Sequence, residues 1–182
     1  MTADRADHEL RILRSVDEHQ GVLIDFLQRL IRVPSLTGEE GPCAEVCAAK
    51  LRALGLEVDC WEIGDEQFRA HPATNPSRFP YAGRPNVVGR WRGAAPERGR
   101  SLILNGHMDV VTPEPLDKWA HDPWGGEIDH DRVYGRGSVD MKGGIACMVV
   151  ALESIRATGL RLAGDVLVEC VIEEEEGVGN GT

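Results

Sequence analysis

The chain has 182 residues, long enough for one domain with a sizeable core. Apolar residues make up 42% and charged residues 27%, ordinary for a soluble globular protein, and no run approaches the roughly 20 apolar residues of a membrane span. A formal net charge of −10 argues against nucleic acid or an anionic membrane as a partner, because both select basic surfaces.

The N-terminal stretch is charged throughout and has no apolar signal-peptide core, so a cytoplasmic location is expected. Apolar residues at Val22, Leu23, Phe26, Leu27, Leu30 and Ile31 predict one helix over about 4–32, ended by Pro34. Ser35, Thr37 and Gly38 form a turn. Glu39 and Glu40 suit the first turn of a second helix, which Gly55 stops. Cys43 and Cys47 share a face of that helix. The five cysteines form no C-x-x-C pair and are expected to be reduced and mostly buried. A short strand is predicted over 56–63. A surface loop with Pro72, Pro76 and Pro80 follows over 64–84.

Strands are predicted over 86–91 and 101–111, then a second proline-containing loop with Pro113, Pro115 and Pro123. Periodicity through Ile145, Met148, Val149, Leu152 and Ile155 predicts a helix over 141–158. The nearly continuous apolar run at 165–172 reads as a strand buried on both faces. This element order implies an α/β fold, a sandwich with helices on both sides of a mixed sheet.

Three short segments place acidic groups where strands run out: LILNGHMDVV at 102–111, YGRGSVDMKGG at 134–144 and VIEEEEGVGNGT at 171–182. In open α/β sheets ligands gather beyond the carboxyl ends of strands. His107 and Asp109 are two apart and so share a strand face. One imidazole nitrogen can bind a metal while the other bonds a carboxylate that fixes the ring. H-x-D alone is equally the mark of a polar loop edge. Asp140 ends a glycine-rich turn before a helix, where an isolated aspartate is an N-cap. The glycines raise a phosphate-binding reading, but neither G-x-x-x-x-G-K-[ST] nor a strand-bound G-x-G-x-x-G is present. The run Glu173, Glu174, Glu175 and Glu176 is either a solvated charge run or part of a cation site. If the strand extends that far, Glu173 and Glu175 face one side and Glu174 and Glu176 the other.

Taken together the three segments resemble the metal-dependent amidohydrolases and exopeptidases of the M20 type, such as acetylornithine deacetylase and succinyl-diaminopimelate desuccinylase. The matching residues are GHMD, then GRGSVDMKGG, then IEEEEGVGNGT, with 33 positions from His107 to Asp140 and 34 and 35 from Asp140 to Glu174 and Glu175. The helix pair and VPSLTGEE at the start fit as well. The resemblance implies a three-layer, zinc exopeptidase-like α/β/α sandwich, with residues 1–182 as the N-terminal part of its catalytic domain. An inserted dimerisation or lid domain, the rest of the catalytic domain and its further ligands are not in these residues.

The resemblance also assigns roles. His107 would bind one metal, Asp109 orient its ring, Asp140 bridge two metals, Glu174 act as general base and Glu175 bind the second metal. The cofactor implied is two divalent ions, zinc by preference with cobalt as an alternative. The peptide bond between Asp140 and Met141 is expected in cis. The implied reaction is deacylation of a small N-acylated amino acid such as N-acetylornithine, with a dipeptidase or carboxypeptidase activity as the alternative enzyme and homodimerisation of the longer form. These residues alone are expected to be inactive, and a non-catalytic or partner-dependent fragment is the alternative. Trp119, Trp124 and His121 are either an entrance lining or ordinary loop residues. His8, His19, His71 and His130 are expected to be solvated.

Overall fold

The structure, a computed structural model, describes residues 3–64 and 77–176. The readings made for 65–76, His71 among them, and for the glycine-rich segment at 177–182 lie outside those residues. Helices α1 (Ala3–Glu18), α2 (Gln20–Ile31) and α3 (Gly41–Ala53) precede strands β1 (Glu57–Trp61), β2 (Asn86–Trp91) and β3 (Leu102–His107). Two short strands, β4 (Glu127–Asp129) and β5 (Arg132–Tyr134), then lead to helix α4 (Lys142–Ala157) and strand β6 (Val166–Val171).

The single helix expected over 4–32 is two. At His19 the backbone leaves the helical region, with φ −97° and ψ 6°. Its ring Nδ1 lies 2.6 Å from the Ser15 carbonyl oxygen, and the Ser15 hydroxyl donates to the Ser154 carbonyl in α4 at 2.9 Å. Neither the local contact nor the tertiary bond to α4 registers in a hydrophobic period. They also make His19 a half-buried, bonded residue rather than the solvated one expected.

The main sheet has the order β1-β2-β6-β3, with β1/β2 and β2/β6 antiparallel and β6/β3 parallel. The mixed α/β class is as expected. The parallel pair decides where chemistry sits, because both strands end at the same edge. His107 stands opposite Val171 in register, so the turn after β6 lies beside the imidazole.

On one face of the sheet Val87, Val168 and Cys170 meet Cys43, Cys47 and Leu51 of α3 and Ile145 and Val149 of α4, all buried. Full burial of each large aliphatic side chain there contributes about 1.5–3 kcal/mol. Gly106 lets α4 approach the end of β3: a Cβ there would lie 2.9 Å from the Met148 methyl and 3.0 Å from that of Met141. Among the described residues the opposite face carries exposed Asp59, Trp61, Ile103 and Asn105. Leu167 and Glu169 are accordingly half-buried, so β6 alternates rather than being buried on both faces as expected. The β4–β5 hairpin went unpredicted because three-residue strands carry no readable alternation.

Candidate metal centre

His107 closes β3 and is buried, with 4% of its surface exposed. Its Nδ1 faces the Asp109 main-chain carbonyl oxygen at 2.9 Å and lies 3.5 Å from Asp109 Oδ1. That leaves Nε2 turned outward, 3.2 Å from Asp140 Oδ1 and 3.7 Å from Glu174 Oε2. Ligand atoms of His107, Asp140 and Glu175 all lie within 4.8 Å of one another. One imidazole nitrogen and two carboxylates are the donor set zinc takes, so these residues fit a divalent cation. All three sequence-predicted ligands are thus brought together, with Glu174 at their edge.

Asp109 is the centre of the support beneath them. It is fully buried, and its carboxylate accepts from the backbone N–H groups of Glu174 and Glu175, each at 3.1 Å, and from the Thr37 hydroxyl at 2.9 Å. Burial alone would raise the Asp109 pKa. The bonds from His107, the two amides and Thr37 outweigh it and hold the carboxyl below its ordinary range. Burial likewise works against a charged His107, but the Asp109 carboxylate and carbonyl, with Asp140, raise it to about 9. Glu175 is pushed upward, first by burial and then by the Asp140, Asp109 and Glu174 carboxylates, with His107 opposing. Crowded acids of this kind are eased by a bound cation.

The four glutamates do not alternate. β6 ends at Val171, and Glu173 takes the left-handed conformation with φ 65°, which breaks the two-residue period. Glu173 turns inward and is 1% exposed, whereas Glu174 is exposed and Glu175 half-buried at the cluster. The expected sharing of one side by Glu173 and Glu175 is therefore corrected.

Asp140 sits on the turn before α4, and its bond to Met141 is cis as expected. The turn packs tightly: Gly137 has φ 81°, and a Cβ there would lie 2.7 Å from Val110. Three contributors to the site were given no role by the sequence. Thr37 belongs to the turn before α3, which lies beside the chain after β3 through Val110 N–H to Ser35 O at 3.0 Å. Lys142, fully buried, donates from Nζ to the carbonyls of Leu30 and Val33 at 2.8 and 2.7 Å. Arg84, 3% exposed, bonds both Glu40 and Glu173. None of the three breaks a local sequence pattern, and each is recognised only through partners distant in the chain.

Along this whole stretch the chain can be set beside known proteins. Residues 103–182 match the model of Peptidase family M20/M25/M40. Residues 103–182 belong to the M20 family. The chain is 34% identical over 168 residues to the N-formyl-4-amino-5-aminomethyl-2-methylpyrimidine deformylase of Bacillus subtilis (strain 168), covering 90% of this chain and 35% of that protein. It is 37% identical over 158 residues to the succinyl-diaminopimelate desuccinylase of Methylobacterium nodulans, covering 85% and 35%. A di-peptidase from Saccharomyces cerevisiae shares the fold, with a TM-score of 0.74 at 17% identity over 92% of this chain and 35% of that one. The chain therefore spans about a third of the length of the relatives it matches.

Outside the cluster, the Trp119 indole N–H donates to the Pro113 carbonyl at 2.7 Å, and its ring lies under Arg136 at 5.1 Å. Trp124 lies 5.8 Å from Lys142 Nζ, and His121 bonds Glu127 at 3.0 Å and stacks on Tyr134. These contacts tie the loop after β3 to β4, β5 and α4. Cys43, Cys47 and Cys170 are buried free thiols, whereas Cys60 and Cys147 are exposed. No described helix is long and apolar enough to cross a membrane.

Proposed function

We propose that the protein is the N-terminal part of an M20 catalytic unit that hydrolyses an amide bond, removing a small acyl group from nitrogen. The observation that carries this reading is the convergence of His107, Asp140 and Glu175 donor atoms within 4.8 Å, with the Glu174 carboxylate beside them. The names of the relatives at 34% and 37% identity, a deformylase and a desuccinylase, support loss of an N-acyl group from a small molecule. An N-acylated amino acid such as N-acetylornithine is the substrate class we assign.

His107, Asp140 and Glu175 would hold divalent metal, two ions when the set is completed by ligands beyond these three, with zinc preferred and cobalt as the alternative. Bound there, the metal would supply Lewis acidity, polarising the acyl carbonyl and acidifying water. The chain's own groups do the rest. Asp109 keeps the imidazole turned so that Nε2 faces outward. Glu174 Oε2 takes a proton from water and later gives it to the leaving nitrogen, a role its exposure permits. Asp140 and Glu175 balance positive charge with their carboxylates.

The test is metal analysis of the full-length protein together with a panel of N-formyl, N-acetyl and N-succinyl amines and amino acids and dipeptides. The expected result is bound zinc or cobalt and release of one acyl group. Hydrolysis of dipeptides with no deacylation would move the activity to a peptidase, and absence of both metal and hydrolysis would end the reading.

A further inference from the structure

The turn that presents Glu174 and Glu175 is held from behind by a buried ionic group. Arg84, Glu40 and Glu173 are 3%, 0% and 1% exposed. The guanidinium of Arg84 grips Glu40 with two bonds, Nε to Oε2 at 2.6 Å and Nη2 to Oε1 at 2.9 Å. Its Nη1 donates to the Pro80 carbonyl at 3.1 Å, and Nη2 also reaches Glu173 Oε2 at 3.3 Å. Glu40 Oε2 accepts in addition from the Gly38 amide at 3.0 Å, so the arginine is anchored to the turn before α3.

These contacts close a ring. The turn at 37–40 touches Asp109 through Thr37 and Arg84 through Glu40. Arg84 holds Glu173, and the next two residues donate their amides back to Asp109. Four segments far apart in the chain are thereby locked around one strand end.

Two features make this arrangement poor at mere stabilisation. Two buried carboxylates share one guanidinium, and Glu173 Oε1 is buried with no hydrogen-bond partner among the described residues. Glu173 also adopts φ 65°, a conformation costly for a residue with a Cβ and suited to glycine. A glycine would make the turn with less strain but would give up the tether. Apolar residues of like volume serve stability as well as buried ion pairs do, so the group's use lies in geometry.

We propose that Arg84, clamped by Glu40 and holding Glu173, is a positioning residue that fixes the turn carrying Glu174 and Glu175, and with it the spacing of metal ligand and proton acceptor. This rests on the function proposed above for the glutamates, but the tether itself is read without metal. Arginine is required because its planar fork serves two carboxylates at once, which a lysine ammonium does not reproduce.

The experiment is amide hydrogen exchange by NMR on the full-length protein, paired with the visible absorption spectrum of its Co²⁺ form. Wild type is compared with Arg84→Met, Arg84→Lys and Glu173→Gln. We expect the Glu174 and Glu175 amides to exchange about tenfold or more faster in Arg84→Met while Val168 in β6 is unchanged, with Arg84→Lys between the two. The Co²⁺ band is expected to shift or weaken in the same order. Exchange at Glu174 and Glu175 that changes only in step with Val168, or not at all, overturns the proposal. Should Arg84→Met fail to fold, Arg84→Lys and Glu173→Gln decide by the same comparison. A wild type that binds no Co²⁺ but loosens locally in the variants sinks the metal reading and leaves the tether standing.

Discussion

The amide N–H of Glu175 donates to Asp109 Oδ2 at 3.1 Å, so the carboxylate packed against the His107 ring also pins the backbone that presents Glu175. One buried side chain thus positions two of the three residues whose donor atoms converge. Asparagine at this position has the same shape but turns one acceptor into a donor, which then faces an N–H or hydroxyl. Asp109→Asn is expected to fold and to bind Zn²⁺ about 10–100-fold more weakly, the usual effect of losing a partner behind a metal ligand. Competition titration with a chromophoric chelator measures it, and unchanged affinity would remove Asp109 from the support.

Glu174 is an exposed carboxylate beside the cluster, 3.7 Å from His107 Nε2 and outside the three-donor group. A general base with that placement can be neutralised without disturbing the ligands. Glu174→Gln is expected to keep the metal content of wild type while kcat falls by about 10²–10⁴. Metal loss that accounts for the whole drop would instead make Glu174 a ligand.

The meeting of His107 and Glu175 was legible because each lies at or just past the end of a strand, and β3 and β6 pair in parallel and end together. Asp140 was legible by its glycine-rich motif just before a helix, which the structure places beside those strand ends. The turn at Glu173 was not legible, because four identical glutamates offer no internal mark of where the strand stops and one side chain turns inward. Arg84 and Lys142 were missed for a related reason: each does its work through carbonyls or carboxylates distant in sequence, and neither breaks a local pattern. The helix break at His19 is another such case, set by a bond from Ser15 to α4.

The raised pKa of His107 has a consequence for metal loading. With a value of about 9 in the metal-free protein, the imidazole is protonated at neutral pH and must lose that proton to bind a cation. Apparent metal affinity should therefore climb with pH by about tenfold per unit below 9 and level off above it. The sign for folding is opposite. A pKa raised above 6.5 stabilises the metal-free protein most below that pH, and the contribution is lost as pH rises through about 9. Calorimetric titrations with Zn²⁺ at several pH values test the first statement, and denaturation of chelator-treated protein tests the second. A pH-independent affinity between 6.5 and 8.5 contradicts both.

Lys142 makes the last case, because here a charge is buried for the sake of two carbonyls. Burial lowers its pKa, so the ammonium is held at some cost that eases as pH rises toward the ordinary lysine range. Against that stand the bonds to Leu30 O at 2.8 Å and Val33 O at 2.7 Å, which satisfy carbonyls at the end of α2 and just beyond it. Methionine matches the length and removes both the charge and the donors. The recovered desolvation offsets part of the loss, so Lys142→Met is expected to destabilise by about 1–3 kcal/mol at neutral pH, the scale of leaving buried acceptors unsatisfied. Because wild type gains stability as Lys142 deprotonates and the variant has nothing there to titrate, the gap should widen toward alkaline pH. Urea denaturation of both proteins across pH 7–10 reads the difference. A variant as stable as wild type would mean that the carbonyls find other partners and that Lys142 does not tie α2 to the turn bearing Asp140.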